Sequence, residues 1–219
     1  MEKSEYIWLN GNFVKWDEAK THVLDYALHY GASVFEGIRA YKTENNTAIF
    51  RLEDHINRLY KSASSMMIEI PYSKDEIINS CILTVRKNKL EECYIRPIVW
   101  LGLGGIGIGV DAPVNVAIIV APFGEYLGKG SKEKGVRAKI VDIIRPHPKS
   151  FPPNSKISGA YVISRIAKLK AKKEGYSEAI LLDYKENIAE GSGENIFIVK
   201  NGILYTPPVE SILEGITRN

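Results

Sequence analysis

Cysteine is scarce: Cys81 and Cys93 are the only two in 219 residues. They are too few for a disulfide framework, and a chain with this much apolar content does not need one. Both are expected as reduced thiols, which points to the cytoplasm. No apolar run approaches the roughly 18 residues of a membrane span. The segment from Met1 to Leu9 also lacks a basic stretch followed by an apolar one, so a soluble, unsecreted chain is expected. Charge of one sign is missing too, since 29 basic and 26 acidic residues are spread along the chain for a net +3. Without a clustered basic stripe, nucleic acid is not an expected partner. Internal repeats and low-complexity tracts are absent. The four histidines, His22, His29, His55 and His147, fall in no H-x-x-x-H or C-x-x-C arrangement, so no metal site is predicted. What remains is a mixture of 45% hydrophobic and 25% charged residues. That mixture is ordinary for one large globular domain or two small ones.

The local signals predict an α+β organisation. Asn10-Gly11, flanked by Ile7-Trp8-Leu9 and Phe13-Val14-Lys15-Trp16, predicts a hairpin because Asn-Gly tolerates positive φ. A strand over 34–42 should turn through Glu44-Asn45-Asn46 into a second strand over 47–51. A helix over 52–66 would place Ile56, Leu59, Tyr60, Ala63 and Met67 on one face. Ser73 with Glu76 forms a capping box for the next helix, which carries Ile77, Ile78, Cys81, Ile82 and Val85. Strands over 93–101 and 115–122 follow, separated by a glycine-rich loop. Residues 1–123 thus read as a small α+β domain, and 124–135 have the composition of a linker. Residues 136–219 read as a second, strand-rich region: strands over 136–144, 178–183, 195–200 and 203–206, a helix over 158–174, and a helix opening over 211–218.

Three motifs carry possible chemistry. Gly102-Leu103-Gly104-Gly105-Ile106-Gly107 matches G-x-G-x-x-G, but Asp111-Ala112-Pro113 then leads into a strand. A dinucleotide site needs a helix there, so a mobile or interface loop is the better reading. In Asn154-Ser155-Lys156-Ile157-Ser158-Gly159 a lysine sits between a proline-rich loop and an apolar helix. On its own a solvated lysine is the ordinary account, and a Ser-Lys nucleophile pair with Ser158 is an alternative. Ile188-Ala189-Glu190-Gly191-Ser192-Gly193-Glu194-Asn195 sets two carboxylates on a glycine-laced turn before a strand, more acid than a plain hairpin needs.

The last motif makes a resemblance specific. Glu190-Gly191-Ser192-Gly193-Glu194-Asn195-Ile196-Phe197, then Leu204-Tyr205-Thr206 and Glu214-Gly215-Ile216-Thr217-Arg218, resembles the signature of class IV aminotransferases, the fold-type-IV pyridoxal-phosphate enzymes. Tyr26-Ala27-Leu28-His29-Tyr30-Gly31, Val34-Phe35-Glu36-Gly37-Ile38-Arg39, His55-Ile56-Asn57-Arg58-Leu59 and Tyr94-Ile95-Arg96-Pro97 resemble its branched-chain group. The likeness runs from about Tyr6 to Arg218.

The resemblance implies a two-domain fold with a strand-rich, cofactor-binding large domain. It implies amino transfer between L-leucine, L-isoleucine or L-valine and 2-oxoglutarate, with pyridoxal 5'-phosphate as cofactor. By that likeness Lys156 holds the cofactor and shuttles the substrate proton, Glu190 partners the ring nitrogen, and Tyr161 binds the phenolic oxygen. Arg58, Ile216 and Thr217 correspond to phosphate ligands, the last two at a helix N-terminus, and Glu194 lies beside the site. Tyr30, Phe35 and Tyr126 correspond to an apolar substrate wall. Tyr94 and Arg96 correspond to the anchor for glutamate's distal carboxylate. The loop through Ile108 and Val110 corresponds to one that enters a neighbouring subunit's site, which implies a homodimer or larger assembly. Phe123 stands where many relatives have tryptophan. Relatives also continue past the position of Asn219, so the likeness implies a large domain without its C-terminal part. Other expectations on the same fold are a D-amino-acid aminotransferase, an aminodeoxychorismate lyase, or an inactive cofactor-binding or assembly protein.

Overall fold

The computed structural model describes residues 2–124, 127, 128 and 130–219. They form two compact units, Met1–Phe123 with Ser155–Gly159, and Gly124–Asn154 with Ala160–Asn219. The segment Ser155–Gly159, expected in the second region, therefore folds with the first unit.

The first unit opens with a hairpin, β1 (Tyr6–Leu9) and β2 (Asn12–Lys15). Asn10 and Gly11 at its tip take φ of 46° and 91°, the left-handed values such a turn requires. Helix α1 (Tyr26–Tyr30) leads to strands β3 (Ser33–Phe35), β4 (Ile38–Lys42) and β5 (Thr47–Ile49). Helices α2 (Leu52–Ser65) and α3 (Lys74–Lys87) and strands β6 (Cys93–Leu101) and β7 (Val114–Ala121) follow. The strands make one antiparallel sheet in the order β2-β1-β7-β6-β4-β5, with β3 also paired to β6. Helix α3 packs on β1, β6 and β7, and α2 packs on β3. Ile38, Ile56, Leu59, Ile77, Ile95, Val99 and Ile118 are fully buried, each contributing about 1.5–3 kcal/mol by leaving water.

Two details differ from expectation, each for a visible reason. The strand expected over 34–42 breaks at Glu36-Gly37. Phe35 faces Ile98 and Ile38 faces Ile95, so the register continues through the break. The Glu36 N–H donates to the Pro97 carbonyl at 2.9 Å, but proline has no N–H to return. Met67 is not on the core face of α2: the helix ends at Ser65, and Met67 lies beyond it at φ 54° and 93% exposed. Ile68 is buried instead. The capping box of α3 forms as read, with the Ser73 N–H donating to Glu76 Oε2 at 2.7 Å.

In the second unit α4 (Ser131–Lys134), a single turn within the expected linker, precedes β8 (Ala138–Ile144). A 3-10 turn at Ser158–Ala160 runs into α5 (Tyr161–Lys173), then β9 (Glu178–Leu182) and β10 (Ile188–Gly191). A hairpin of β11 (Ile198–Lys200) and β12 (Ile203–Tyr205) follows. Strands β8 and β9 are parallel and joined through α5, while β10 runs antiparallel to β9. Ala167 and Ala171 of α5 pack with Val141, Ala179 and Leu181, small side chains that let the helix lie close to the sheet. β10 was not foreseen, and the strand expected over 195–200 is confined to Ile198–Lys200. The helix expected over 211–218 is replaced by a turn over 216–218, in which the Gly215 carbonyl accepts from the Arg218 and Asn219 N–H groups at 3.0 and 3.2 Å. No described helix is long and apolar enough to cross a membrane.

Candidate active site

In the first unit the buried side of α2 carries a polar stripe. His55, Arg58 and Ser62 sit at i, i+3 and i+7, which places them along one helix face. Ser62 is fully buried and His55 nearly so. The two residues at the stripe's lower end, His55 and Arg58, meet Glu36, which is itself fully buried in the break between β3 and β4. Arg58 Nε donates to Glu36 Oε1 at 2.7 Å and its Nη2 to Oε2 at 2.8 Å. His55 Nδ1 lies 2.7 Å from the same Oε2. Burial pushes the Glu36 pKa up, but the hydrogen bonds and charge of Arg58 and His55 outweigh it and hold the carboxyl below its ordinary range.

The upper end of the stripe holds the Lys156 segment. The Lys156 N–H donates to Ser62 Oγ at 2.9 Å, and its carbonyl accepts from the Phe35 N–H at 3.1 Å. Val34 and Ile157 form an antiparallel bridge beside it. Further along, Gly31 closes α1 at φ 68°, where a Cβ would stand only 3.1 Å from the Gly159 backbone. The lysine loop is thus tied to the Ser62 hydroxyl of α2 and to the main chain of β3, with its Gly159 packed close to Gly31 at the end of α1.

Its side chain runs to Phe35, with Nζ 4.8 Å from the ring centre. The residue as a whole is half-buried, but its amine end is withdrawn from water. That desolvation is the main reason its pKa falls from 10.5 to about 8; Arg58 and Arg96 push the same way, while Glu36 and Tyr94 oppose them. The Arg96 guanidinium covers the same Phe35 ring at 4.5 Å. Tyr94 Oη accepts from Arg96 Nε at 3.1 Å and Nη2 at 2.6 Å. Gly37 makes room for that hydroxyl, because a Cβ there would collide with it. Lys156, Phe35, Arg58, Tyr94 and Arg96 are therefore neighbours, with Glu36 among them.

The other residues named for a substrate wall are less enclosed. Tyr30 is 41% exposed, its hydroxyl accepting from the Gly107 N–H at 3.1 Å. Ile108, on the glycine loop, is 90% exposed, and Val110 is half-buried. Tyr126 lies outside the described residues.

In the second unit Glu190 is buried on β10. Arg145 Nε lies 3.0 Å from its Oε1. Its Oε2 accepts from the Leu213 N–H at 3.2 Å and from Asn195 Nδ2 at 3.3 Å. Asn195 also donates to the Leu213 carbonyl at 2.8 Å, which ties the acid to the segment leading into Ile216. Ile216 is buried and Thr217 exposed. They stand in the turn already described rather than at a helix N-terminus. Tyr161 is the half-buried first residue of α5. Glu194 accepts the Gly193 N–H at 3.1 Å through Oε2, while its buried Oε1 makes no hydrogen bond with protein. Burial and the neighbouring Glu178 carboxylate raise its pKa. Sequence reasoning had not marked Glu36, His55, Ser62 or Arg145. The signal for His55 and Ser62 was a run of polar residues at helical spacing on a face of α2 read only for its apolar members; Glu36, between two strands, gave none.

A family model for class IV aminotransferases matches residues 33–219. A branched-chain-amino-acid aminotransferase of Pseudomonas aeruginosa is 44% identical over 219 residues, covering all of this chain and 71% of the relative. The chain belongs to the class IV aminotransferases, in their branched-chain group. The crystal structure of the Escherichia coli branched-chain amino acid aminotransferase superposes with a TM-score of 0.96 at 42% identity, covering 99% of this chain and 72% of that one. The Thermobaculum terrenum branched-chain amino acid aminotransferase in its PLP holo-form superposes with a TM-score of 0.88 at 32% identity, covering 100% and 72%. The mixed helix and strand architecture described above is thus that of the fold-type-IV aminotransferases.

Proposed function

We propose that this aminotransferase moves amino groups between L-leucine, L-isoleucine or L-valine and 2-oxoglutarate, using pyridoxal 5'-phosphate. The observation that carries the reading is the Lys156 amine, desolvated against Phe35 and bordered by Arg58 and Arg96, with a pKa of about 8. A lysine so placed is neutral in roughly a tenth of molecules at pH 7, against well under a thousandth for an ordinary lysine, and only the neutral amine is a nucleophile or a base. The donor set fits the cofactor: a desolvated primary amine for its aldehyde, a guanidinium for its phosphate, and a buried carboxylate for its ring nitrogen. When bound, pyridoxal phosphate supplies an electron-accepting ring that stabilises the charge left at Cα when a substrate C–H bond breaks.

The residues divide the remaining work. With the cofactor bound, Lys156 Nζ would take the proton from the substrate Cα and deliver it to the cofactor carbon that bears the nitrogen, the reverse half-reaction moving it back. Glu190, fixed by Arg145, Asn195 and the Leu213 N–H, keeps a proton on the ring nitrogen, and Tyr161 donates to the phenolic oxygen. By the family likeness Arg58 is a phosphate ligand, as are Ile216 and Thr217, and Glu194 stiffens the turn that follows Glu190. Arg96, steadied by Tyr94, takes the distal carboxylate of glutamate. Phe35 and Tyr30, with Tyr126, form the apolar wall for branched side chains. Ile108 and Val110 reach the site of a second copy, so a homodimer is the working unit. The two buried free thiols suit the cytoplasm.

Half-reactions followed by the visible absorption of the bound cofactor test this. L-valine and L-glutamate should each convert the cofactor far faster than D-alanine. Faster conversion by D-alanine points to a D-amino-acid aminotransferase. Absence of any cofactor band on adding pyridoxal phosphate points to an inactive protein.

A further inference from the structure

A fully buried carboxylate needs a reason. Taking a carboxylate and its partners out of water carries a large desolvation penalty, and an apolar trio of the same volume is often as stable. Glu36 nevertheless sits in the core of the first unit, in the gap between β3 and β4. Its two oxygens take the Nε and Nη2 edge of Arg58 together, a fork-to-fork contact that fixes both the plane and the direction of a guanidinium. His55, three residues before Arg58 on the same helix, holds Oε2 from the other side, and the Gly37 N–H adds a longer contact at 3.3 Å. With the Nε–Nη2 edge held, the rest of the fork has one orientation. The Glu36 charge also acts on Lys156, beside which stand Arg58 and Arg96, pushing the other way, and Tyr94.

We infer that Glu36, seated by His55, is a positioning residue: it sets the Arg58 guanidinium in the orientation that receives a phosphate monoester, and its charge offsets the two arginines facing the Lys156 amine. This rests on the reading of Arg58 and Lys156 proposed above. In this chain the segment containing Glu36 supplies the acid that the two donors of α2, His55 and Arg58, require. Partial neutralisation of Arg58 works against anion binding, so the inference requires that the gain in orientation exceed it.

The test compares pyridoxal phosphate with pyridoxal, which lacks the phosphate, in equilibrium binding to the full chain. In Glu36→Gln, whichever way the amide turns, its nitrogen meets a donor of Arg58 or His55. Affinity for pyridoxal phosphate should fall on the order of tenfold, the scale of one charge-assisted contact, while affinity for pyridoxal stays within about twofold of wild type on that scale. Glu36→Asp, which keeps the charge, should recover part of the loss. The pH midpoint for pyridoxal attachment to Lys156 should move lower in Glu36→Gln, because an opposing negative charge is gone. Equal loss of both ligands, no loss, or tighter phosphate binding overturns the inference. If Glu36→Gln does not fold, His55→Leu carries the same comparison, with a phosphate-selective loss again expected and an equal loss overturning it. If Arg58→Ala itself shows no phosphate-selective loss, the assignment of Arg58 fails and this inference fails with it. If Arg58→Ala does show that loss and Glu36→Gln does not, only the inference fails.

Discussion

The main-chain N–H of Lys156 donates to the buried hydroxyl of Ser62 at 2.9 Å, so helix α2 fixes the backbone from which the reactive amine projects. Ser62→Ala leaves that N–H without its partner in a site with little water. The expected loss is about 1–3 kcal/mol of unfolding free energy, the usual penalty for an orphaned buried donor. Chemical denaturation measures it, and an unchanged midpoint would mean the lysine loop does not depend on α2.

Lys156 should itself lower the stability of the cofactor-free protein near neutral pH. Its pKa falls from 10.5 to about 8 on folding, so the fold disfavours the charged amine. The sign follows directly: the penalty is absent above the unfolded value, grows as pH falls toward the folded value, and is complete below it. That shift corresponds to at most about 3 kcal/mol. Lys156→Met should therefore be more stable than wild type at pH 7, with the difference vanishing at high pH. Thermal melts across that range check it, and a less stable variant at pH 7 would contradict the desolvated environment.

Glu194 gives a second pH dependence. Its pKa is raised above 4.5, chiefly by burial and then by Glu178. A raised carboxylate does no harm below its unfolded value, and the fold loses stability as pH rises through the folded one. Glu194→Gln should melt higher than wild type at pH 7 and no higher below pH 4.5, the ordinary value. Glu178 carries the opposite shift and is held low against its own burial by Lys168, the Ser192 side chain and the Ala179 N–H. Glu178 and Glu194 repel one another, so removing the Glu194 charge also relieves Glu178, and the difference in melting reads the acid pair with the same sign.

The elements that local chemistry decides were legible in the sequence. Asn10-Gly11 specifies its turn, Ser73 with Glu76 specifies the start of α3, and the run of residues in β6 was readable to the residue. The elements that distant residues decide were not. The break at Glu36 depends on Pro97, some 60 positions away in a neighbouring strand. Glu190 looked like part of a turn because Gly191 and Gly193 follow it, yet pairing of Ile188 and Glu190 with β9 makes it a strand with a bulge. The Glu36, His55 and Arg58 cluster escaped because hydrophobic periodicity takes no account of polar residues on a buried helix face, nor of an acid in a strand break that meets them from a distant part of the chain. Family motifs named Lys156 and Arg58 but gave no reason for Glu36; the hydrogen bonds do.

Glu190→Gln keeps the size of the side chain and removes its charge. If the acid keeps a proton on the cofactor ring, kcat for L-valine should fall by about a hundredfold or more, the scale of losing one preorganised electrostatic partner. KM should change much less. Steady-state kinetics with L-valine and 2-oxoglutarate separate the two, and an unchanged kcat would remove Glu190 from the chemistry.

The central claim is that Lys156 is the amine that carries pyridoxal phosphate. Borohydride reduction of the cofactor-loaded protein fixes the cofactor to whichever lysine holds it, and peptide mass mapping then locates that lysine. The peptide containing Asn154-Ser155-Lys156-Ile157 should bear the phosphopyridoxyl group, and Lys156→Ala should lose it. A label on another lysine, or none on the wild-type chain, would contradict the account.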